Sequence, residues 1–246
     1  MNAKKILSLP LKKIVLFFIY YKMKPVLKFS FIVALLALVC TASAQTIYRL
    51  EIGYTNPKRY FGSDIGSSSN FKGQGLSTYF NGGKLGGTAE FKLKNNFSLL
   101  TGVLYNYVYS NNLQGYPNST DVKYVTQSHS LDIPARAIYT LPISKSLKVF
   151  GFAGPNFNIG LSQTMKVTST LTYPPTSALY VNSGSVDLYK DDILNRVNLQ
   201  IGVGGGIQWK RYQIKATYDF GLNNLDRTSS GNLRQKGWYL SVAYDF

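Results

Sequence analysis

Eight stretches of two-residue alternation, links between them that are short and long by turns, and a terminal aromatic residue that closes the last alternation together predict the fold. They describe an all-β chain, an eight-stranded antiparallel up-and-down barrel that crosses a membrane. The final stretch is the most informative. Back from Phe246, Tyr244, Val242, Leu240 and Trp238 are large and apolar or aromatic, with Asp245, Ala243, Ser241 and Tyr239 between them. A period of two sends successive side chains to opposite faces of a strand. One face therefore meets an apolar medium, which in a membrane barrel is lipid. Trp238, Leu240, Val242, Tyr244 and Phe246 are expected to form the terminal signal read by a barrel assembly machinery.

The opening of the chain suits export. A short basic region, Met23-Lys-Pro-Val-Leu-Lys, leads into the apolar run Phe31-Ile-Val-Ala-Leu-Leu-Ala-Leu-Val39, and Ala42-Ser-Ala44 supplies small residues before Gln45. That pattern predicts a secretory signal over residues 1–44, cleaved after Ala44, with the barrel over 45–246. Met23 is the expected translation start, although an extended signal from Met1 would read the same way. The apolar stretch 14–21 is too short to span a bilayer. Cys40 is the sole cysteine. Branched Val39 before it disfavours acylation at that site, and cleavage after Ala44 leaves no thiol chemistry. Removal of seven lysines with this segment lowers the formal charge from +16 to +9.

The strands follow in order. Tyr48, Leu50, Ile52 and Tyr54 share one face, with Arg49 and Glu51 on the other. Leu85, Ala89, Phe91 and Leu93 oppose Glu90 and Lys92, and the third stretch runs from Phe97 through Val103 to Tyr105, Tyr107 and Tyr109. Leu131, Ile133, Tyr139 and Leu141 oppose Asp132 and Arg136. The fifth, about 147–162, leaves its phase open: Phe150 and Phe152 favour one face, and Phe157, Ile159 and Leu161 the other. A bulge at Gly154-Pro155 is one explanation. The sixth sets Val197 to Trp209 against Arg196, Asn198, Gln200 and Gln208, and the seventh sets Tyr212 to Phe220 against Gln213, Lys215, Thr217 and Asp219.

Connection lengths orient the barrel. The short links are Asn95-Asn96, residues 142–146 and Lys210-Arg211; the long ones are 56–83, 111–127, 163–193 and 223–236. Short turns at one end and long loops at the other match periplasmic turns and external loops. With 19 tyrosines, 14 phenylalanines and 22 glycines, the composition fits, though a soluble sandwich could share it.

A resemblance adds to this reading. Ser130-Leu-Asp-Ile-Pro-Ala-Arg-Ala-Ile-Tyr139 is similar to a strand signature of the PorT-like, porin-family outer-membrane β-barrels of Bacteroidetes-type bacteria. Phe97-Ser-Leu-Leu-Thr-Gly-Val-Leu-Tyr105, Val149-Phe-Gly-Phe-Ala-Gly-Pro155, Gly202-Val-Gly-Gly-Gly206 and Tyr218-Asp-Phe-Gly-Leu222 resemble its neighbouring blocks in the same order. The resemblance implies an eight-stranded outer-membrane barrel and says little about activity.

A barrel of this size is filled by side chains. Arg49, Glu51, Glu90, Lys92, Asp132, Arg136, Arg196, Lys215, Asp219 and Asp245 fall on inward positions, and they are expected to pair as an ionic plug. A proton or ion path is the alternative. Phe97, Tyr139, Trp209, Tyr212, Tyr244 and Phe246 are expected in a periplasmic aromatic girdle, and Tyr54, Tyr107, Tyr109, Phe220 and Trp238 in an external one.

Enzymatic readings fare poorly. His129 is the only histidine, and the adjacent Ser128 and Ser130 point to the opposite face of the strand. One histidine excludes a multi-histidine metal site, and no cofactor is expected. Gly202 to Gly206 lies within a strand and lacks the Lys and Ser/Thr of a phosphate loop; its glycines are expected to make room for curvature or a bulky neighbour inside. The basic charge does not point to nucleic acid in an exported barrel. Lys58, Arg59, Lys72, Lys123 and Lys166 are instead expected to face anionic lipopolysaccharide. Ser-, Thr- and Tyr-rich external loops suit an unidentified protein partner. A structural or interaction barrel is therefore the first functional reading. An accessory of a secretion or uptake complex is the second, and a narrow channel the third.

Overall fold

A computed structural model describes residues 45–61, 78–116, 120–171, 180–227 and 232–246. The export-signal reading, with Met23, Cys40 and Ala44, lies outside the described residues, as does Lys72. Ten strands follow in order: β1 (Thr46–Phe61), β2 (Thr78–Tyr79), β3 (Asn81–Lys92), β4 (Phe97–Tyr116), β5 (Thr120–Pro142), β6 (Leu147–Leu171), β7 (Tyr180–Asp187), β8 (Val197–Trp209), β9 (Tyr212–Gly221) and β10 (Leu233–Asp245). Eight of them form an antiparallel sheet in the order β10-β9-β8-β6-β5-β4-β3-β1. The sheet closes on itself where β10 pairs with β1, from Arg49↔Asp245 to Phe61↔Leu233. A closed ring leaves no unpaired backbone edge for lipid to meet. The two remaining strands are additions: β2 joins β1 at Lys58 and Arg59, and β7 pairs with β6.

Alternation sets which face is wet. In β9, Gln213, Lys215, Thr217 and Asp219 are buried inside, whereas Tyr212, Ile214 and Phe220 are exposed outside. Ile52, Val203 and Leu240 are 62%, 54% and 48% exposed, values that would be costly in water but suit a lipid-facing band. At the β3–β4 turn, Asn95 and Asn96 adopt φ of 57° and 64°, backbone that asparagine tolerates better than other residues with a Cβ.

β6 resolves the open phase. Phe150, Phe152 and Asn156 are buried inside, and Val149 and Leu161 face out. The register against β8 runs unbroken from Leu147↔Trp209 to Ile159↔Val197, through Gly154-Pro155. Phe157 and Ile159 therefore share the outward phase of Val149, and it is Phe150 and Phe152 that turn inward. The irregularity lies farther along, where β5 passes from Ser130↔Gly160 to His129↔Ser162 and Leu161 is left without a partner.

The links 111–127 and 163–193, expected as loops, are largely strand. β3 pairs with β4 as far as Asn81↔Tyr109, but β4 and β5 stay paired to Tyr116↔Thr120. β5 and β6 continue to Thr120↔Leu171, and β7 lines the far side of β6. A four-stranded sheet thus rises past the ring on one side. Ser110 to Tyr116 alone add roughly 23 Å at 3.3 Å per residue. Beyond lipid neither face must be apolar, so the alternation fades while the hydrogen-bonded ladder continues.

Candidate functional site

Among the described residues the lumen holds the largest concentration of buried charge, and the register explains how it assembles. Nearest the short turns, Arg49 lies opposite Asp245 across the closing seam. Arg49 Nε donates to Asp245 Oδ1 at 2.6 Å, and its Nη2 reaches Glu90 Oε2 at 2.5 Å. Gln208 Nε2 donates to the other Asp245 oxygen at 2.9 Å. Gln213, with its amide oxygen turned toward Arg49, accepts at 2.9 and 3.1 Å. Lys92, half-buried at the rim, bonds Glu90.

One level up, Glu51 is fully buried between Lys215 at 2.5 Å and Lys84 at 3.6 Å. Lys84 Nζ also sits 4.9 Å from the centre of the Tyr239 ring. Toward the long-hairpin end, Arg136 Nη2 bonds Asp219 Oδ1 at 2.5 Å, and its Nη1 donates to the carbonyl of Gly154. Asp132 accepts from Asn158 Nδ2 at 2.7 Å, and Gln200 Oε1 accepts from Asn156 Nδ2 at 2.9 Å. Five cations (Arg49, Lys84, Lys92, Arg136, Lys215) thus share this stack with five carboxylates (Glu51, Glu90, Asp132, Asp219, Asp245), and Arg59 turns inward nearer the mouth, donating to Gln235 at 2.9 Å. Pairing of this kind is what makes buried charge tolerable.

Arg196 is a correction. It precedes β8 and is exposed; its Nη1 donates to the Leu161 carbonyl at 3.0 Å and its guanidinium covers the Tyr189 ring at 5.0 Å. Its parity is inward, but the barrel wall starts only at Val197, so the side chain lies over the mouth instead of in the stack.

Apolar side chains share the lumen. Leu100, Ile138, Phe150 and Phe152 form a buried cluster on the β4–β6 side. Three alternate glycines face this filling. A Cβ at Gly202 would overlap Asp219 and Arg136, one at Gly204 the Phe152 ring, and one at Gly206 the Phe150 ring. The glycine run therefore makes room for bulky neighbours inside. Only a small cavity of about 40 Å³ remains between the apolar cluster and the ionic groups, and another of about 20 Å³ lies beyond, near Arg59, Phe80 and Asn106.

The long-hairpin mouth is capped. Leu188, Tyr189, Leu194, Leu225 and Leu233 form a second buried cluster, joined by Met165, Val186 and Ile193. Tyr189 packs where Gly160 lacks a side chain. Asp187 Oδ1 holds the turn by accepting from the N–H groups of Tyr189 and Lys190 at 3.1 and 3.2 Å. Partial burial pushes the Asp187 carboxyl up, but these N–H groups and the Lys190 ammonium outweigh it and hold it below its ordinary value.

Outside, the terminal residues Trp238, Leu240, Val242, Tyr244 and Phe246 share the outward face of the last strand and its end. At the turn end Phe97 packs on Tyr139 with ring centres 4.8 Å apart, and Tyr244 packs on Tyr212 and Phe246 at 5.3 and 5.4 Å. Trp209 pairs with Tyr212 across β8–β9. At the other end Tyr54 packs on Trp238 at 5.3 Å and Phe220 on Tyr218 at 4.5 Å. Tyr107 contacts His129, and Tyr109 lies at the last β3–β4 pair. His129 Nδ1 bonds the Tyr105 hydroxyl on this outer face, while Ser128 is buried inside beside Gln163. Gln208 and Gln213 lie inside, as the inward faces of their strands predict, whereas Lys84, Asn156 and Asn158 are lumenal residues that sequence reasoning missed. Their parity in the register is the signal that could have found them.

A closed eight-stranded ring, apolar outside and ionic inside, defines a β-barrel of the bilayer-spanning kind. Residues 44–227 match the family described as outer membrane protein beta-barrel domain, and the chain belongs to that family. It is a protein of the bacterial outer membrane. Among similar solved structures, Ail of Yersinia pestis with the heparin analogue sucrose octasulfate is 16% identical, with 82% of this chain and 99% of that chain covered and a TM-score of 0.35. Neisserial surface protein A is 14% identical over 81% of this chain and 97% of its own, with a TM-score of 0.36. The N-terminal β-barrel domain of Pseudomonas aeruginosa OprF is 16% identical over 82% and 100%, with a TM-score of 0.27. No curated protein matches.

Proposed function

We propose that this barrel is a plugged membrane anchor that carries an interaction surface outside the cell. The observation behind this reading is the four-stranded sheet β4-β5-β6-β7, which continues past the ring with two edges that no strand among the described residues covers. β4 loses its β3 neighbour after Tyr109, and β7 pairs on one side with β6. Open edges present unpaired N–H and C=O groups to which a partner strand can add. Short turns face the periplasm and the projecting sheet faces outward. The ionic stack and the capped mouth act as a plug, and the aromatic rings act as lipid girdles. The outward residues of β10 together with Phe246 serve as the signal for barrel assembly. No catalytic role is assigned: His129 is engaged by Tyr105 and Tyr107.

The PorT-like, Bacteroidetes-type resemblance favours a second reading, an accessory of a secretion or uptake complex, which would use the same edges. A photo-crosslinking residue at Ser185, exposed on β7, tests the proposal in intact cells. Discrete protein adducts from Ser185, and none from lipid-facing Val203, are expected. Absence of adducts together with stepwise conductance in planar bilayers would contradict it and favour a channel.

A further inference from the structure

The outer face of the β1–β10 seam carries a charge arrangement opposite to that of the lumen. Above Trp238, the outward positions of β10 are Lys236 and then Arg234. Across the seam, Lys236 lies directly opposite Lys58, and Arg234 opposite Tyr60. Like charges directly opposite on paired strands repel. The five cations of the ionic stack each have a carboxylate within ion-pair distance, and inward Arg59 near the mouth donates instead to Gln235. Among the described residues no carboxylate is paired with Lys58, Lys236 or Arg234. Their neighbours are aromatic or amide groups: Lys58 Nζ donates to Tyr79 Oη at 2.6 Å, Lys236 Nζ lies 4.8 Å over the Tyr60 ring, and Arg234 Nε donates to Asn232 at 3.2 Å.

Depth supplies the second constraint. Trp238 lies two residues below Lys236, and Tyr54, four residues below Lys58, packs on it; an aromatic pair at a strand end marks the headgroup level. The lysines therefore stand roughly 7 Å along the strand beyond Trp238 and about 13 Å beyond Tyr54. A paired-lysine step facing lipid at that height, with donors on both strands and no acid, is complementary to a phosphate held at the membrane surface.

We propose that Lys58, Lys236 and Arg234 bind the phosphate of a phosphorylated outer-leaflet glycolipid of the lipid A class, whose acyl chains lie against Leu240 and Ile52 below. This narrows the expected lipopolysaccharide contact. Of the residues first considered for it, Lys58 alone lies at the described boundary: Arg59 turns inward to Gln235, and Lys123 and Lys166 sit on the projecting sheet. The proposal rests on the reading of the long-hairpin end as external.

The test uses folded full-length protein and phosphatidylcholine vesicles carrying either phosphorylated lipid A or the same lipid A after phosphatase treatment. Wild type should prefer the phosphorylated vesicles by about tenfold or more. The variant Lys58→Gln/Lys236→Gln/Arg234→Gln should lose that preference, whereas Lys123→Gln/Lys166→Gln keeps it. Both variants should retain the wild-type heat shift on gels. Equal binding by the triple variant and wild type, or no preference for the phosphates, overturns the site. Full competition by millimolar inorganic phosphate overturns the lipid source. Labelling of Ser185→Cys from outside intact cells separates the two failures: a labelled cysteine with an unaffected triple variant sinks the site alone, and an unlabelled one sinks the orientation and the site together.

Discussion

Gly202 stands where Arg136 and Asp219 meet, and a Cβ there would overlap both. Steric overlap in a filled interior costs about 1–3 kcal/mol. Here it would also strain a buried ion pair, which is costly to break. Gly202→Ala should therefore lower the temperature at which the compact, unboiled gel band is lost, and Gly184→Ala should not, because open space surrounds Gly184. The opposite ranking would deny the packing of Arg136 against β8. Most of the ionic residues were legible from parity alone. Two exceptions have physical reasons. Lys84 stands before the first bulky outward residue of β3, in a glycine-rich stretch where alternation is faint. Arg196 has the right parity, but one residue too early to lie within the wall.

At the scale of elements, the outward apolar face made eight strands readable, because lipid demands a period of two. Where both faces are apolar the period cannot say which faces lipid, and so β6 stayed ambiguous until its neighbours fixed Phe150 and Phe152 beside Leu100 and Ile138. The projecting strands were hidden for the converse reason. Above the bilayer no face has to be apolar, and Thr120 to Gln127 reads as a loop although it is paired on both sides. Ring closure does not depend on this part of the hairpin. Replacing residues 111–125 by Asn-Gly, a two-residue hairpin turn, between Ser110 and Thr126 should leave the heat-shift midpoint unchanged. It should also abolish Ser185 adducts that require the intact sheet. A barrel that fails to assemble after this deletion would place the hairpin in the folding core.

For the whole molecule, the account joins three features: a wall whose outer face suits lipid, a lumen filled by paired charge and aromatic rings, and a sheet that rises beyond both. Each depends on closure of β10 onto β1, which seats Arg49 against Asp245 and removes the last open edge within the wall. The most direct test of that closure is the gel mobility of the outer-membrane fraction in detergent, with and without boiling. A closed barrel should resist detergent, run faster unboiled and shift upward on heating. An identical mobility in both lanes, or recovery of the protein in the soluble periplasm, would contradict the membrane barrel.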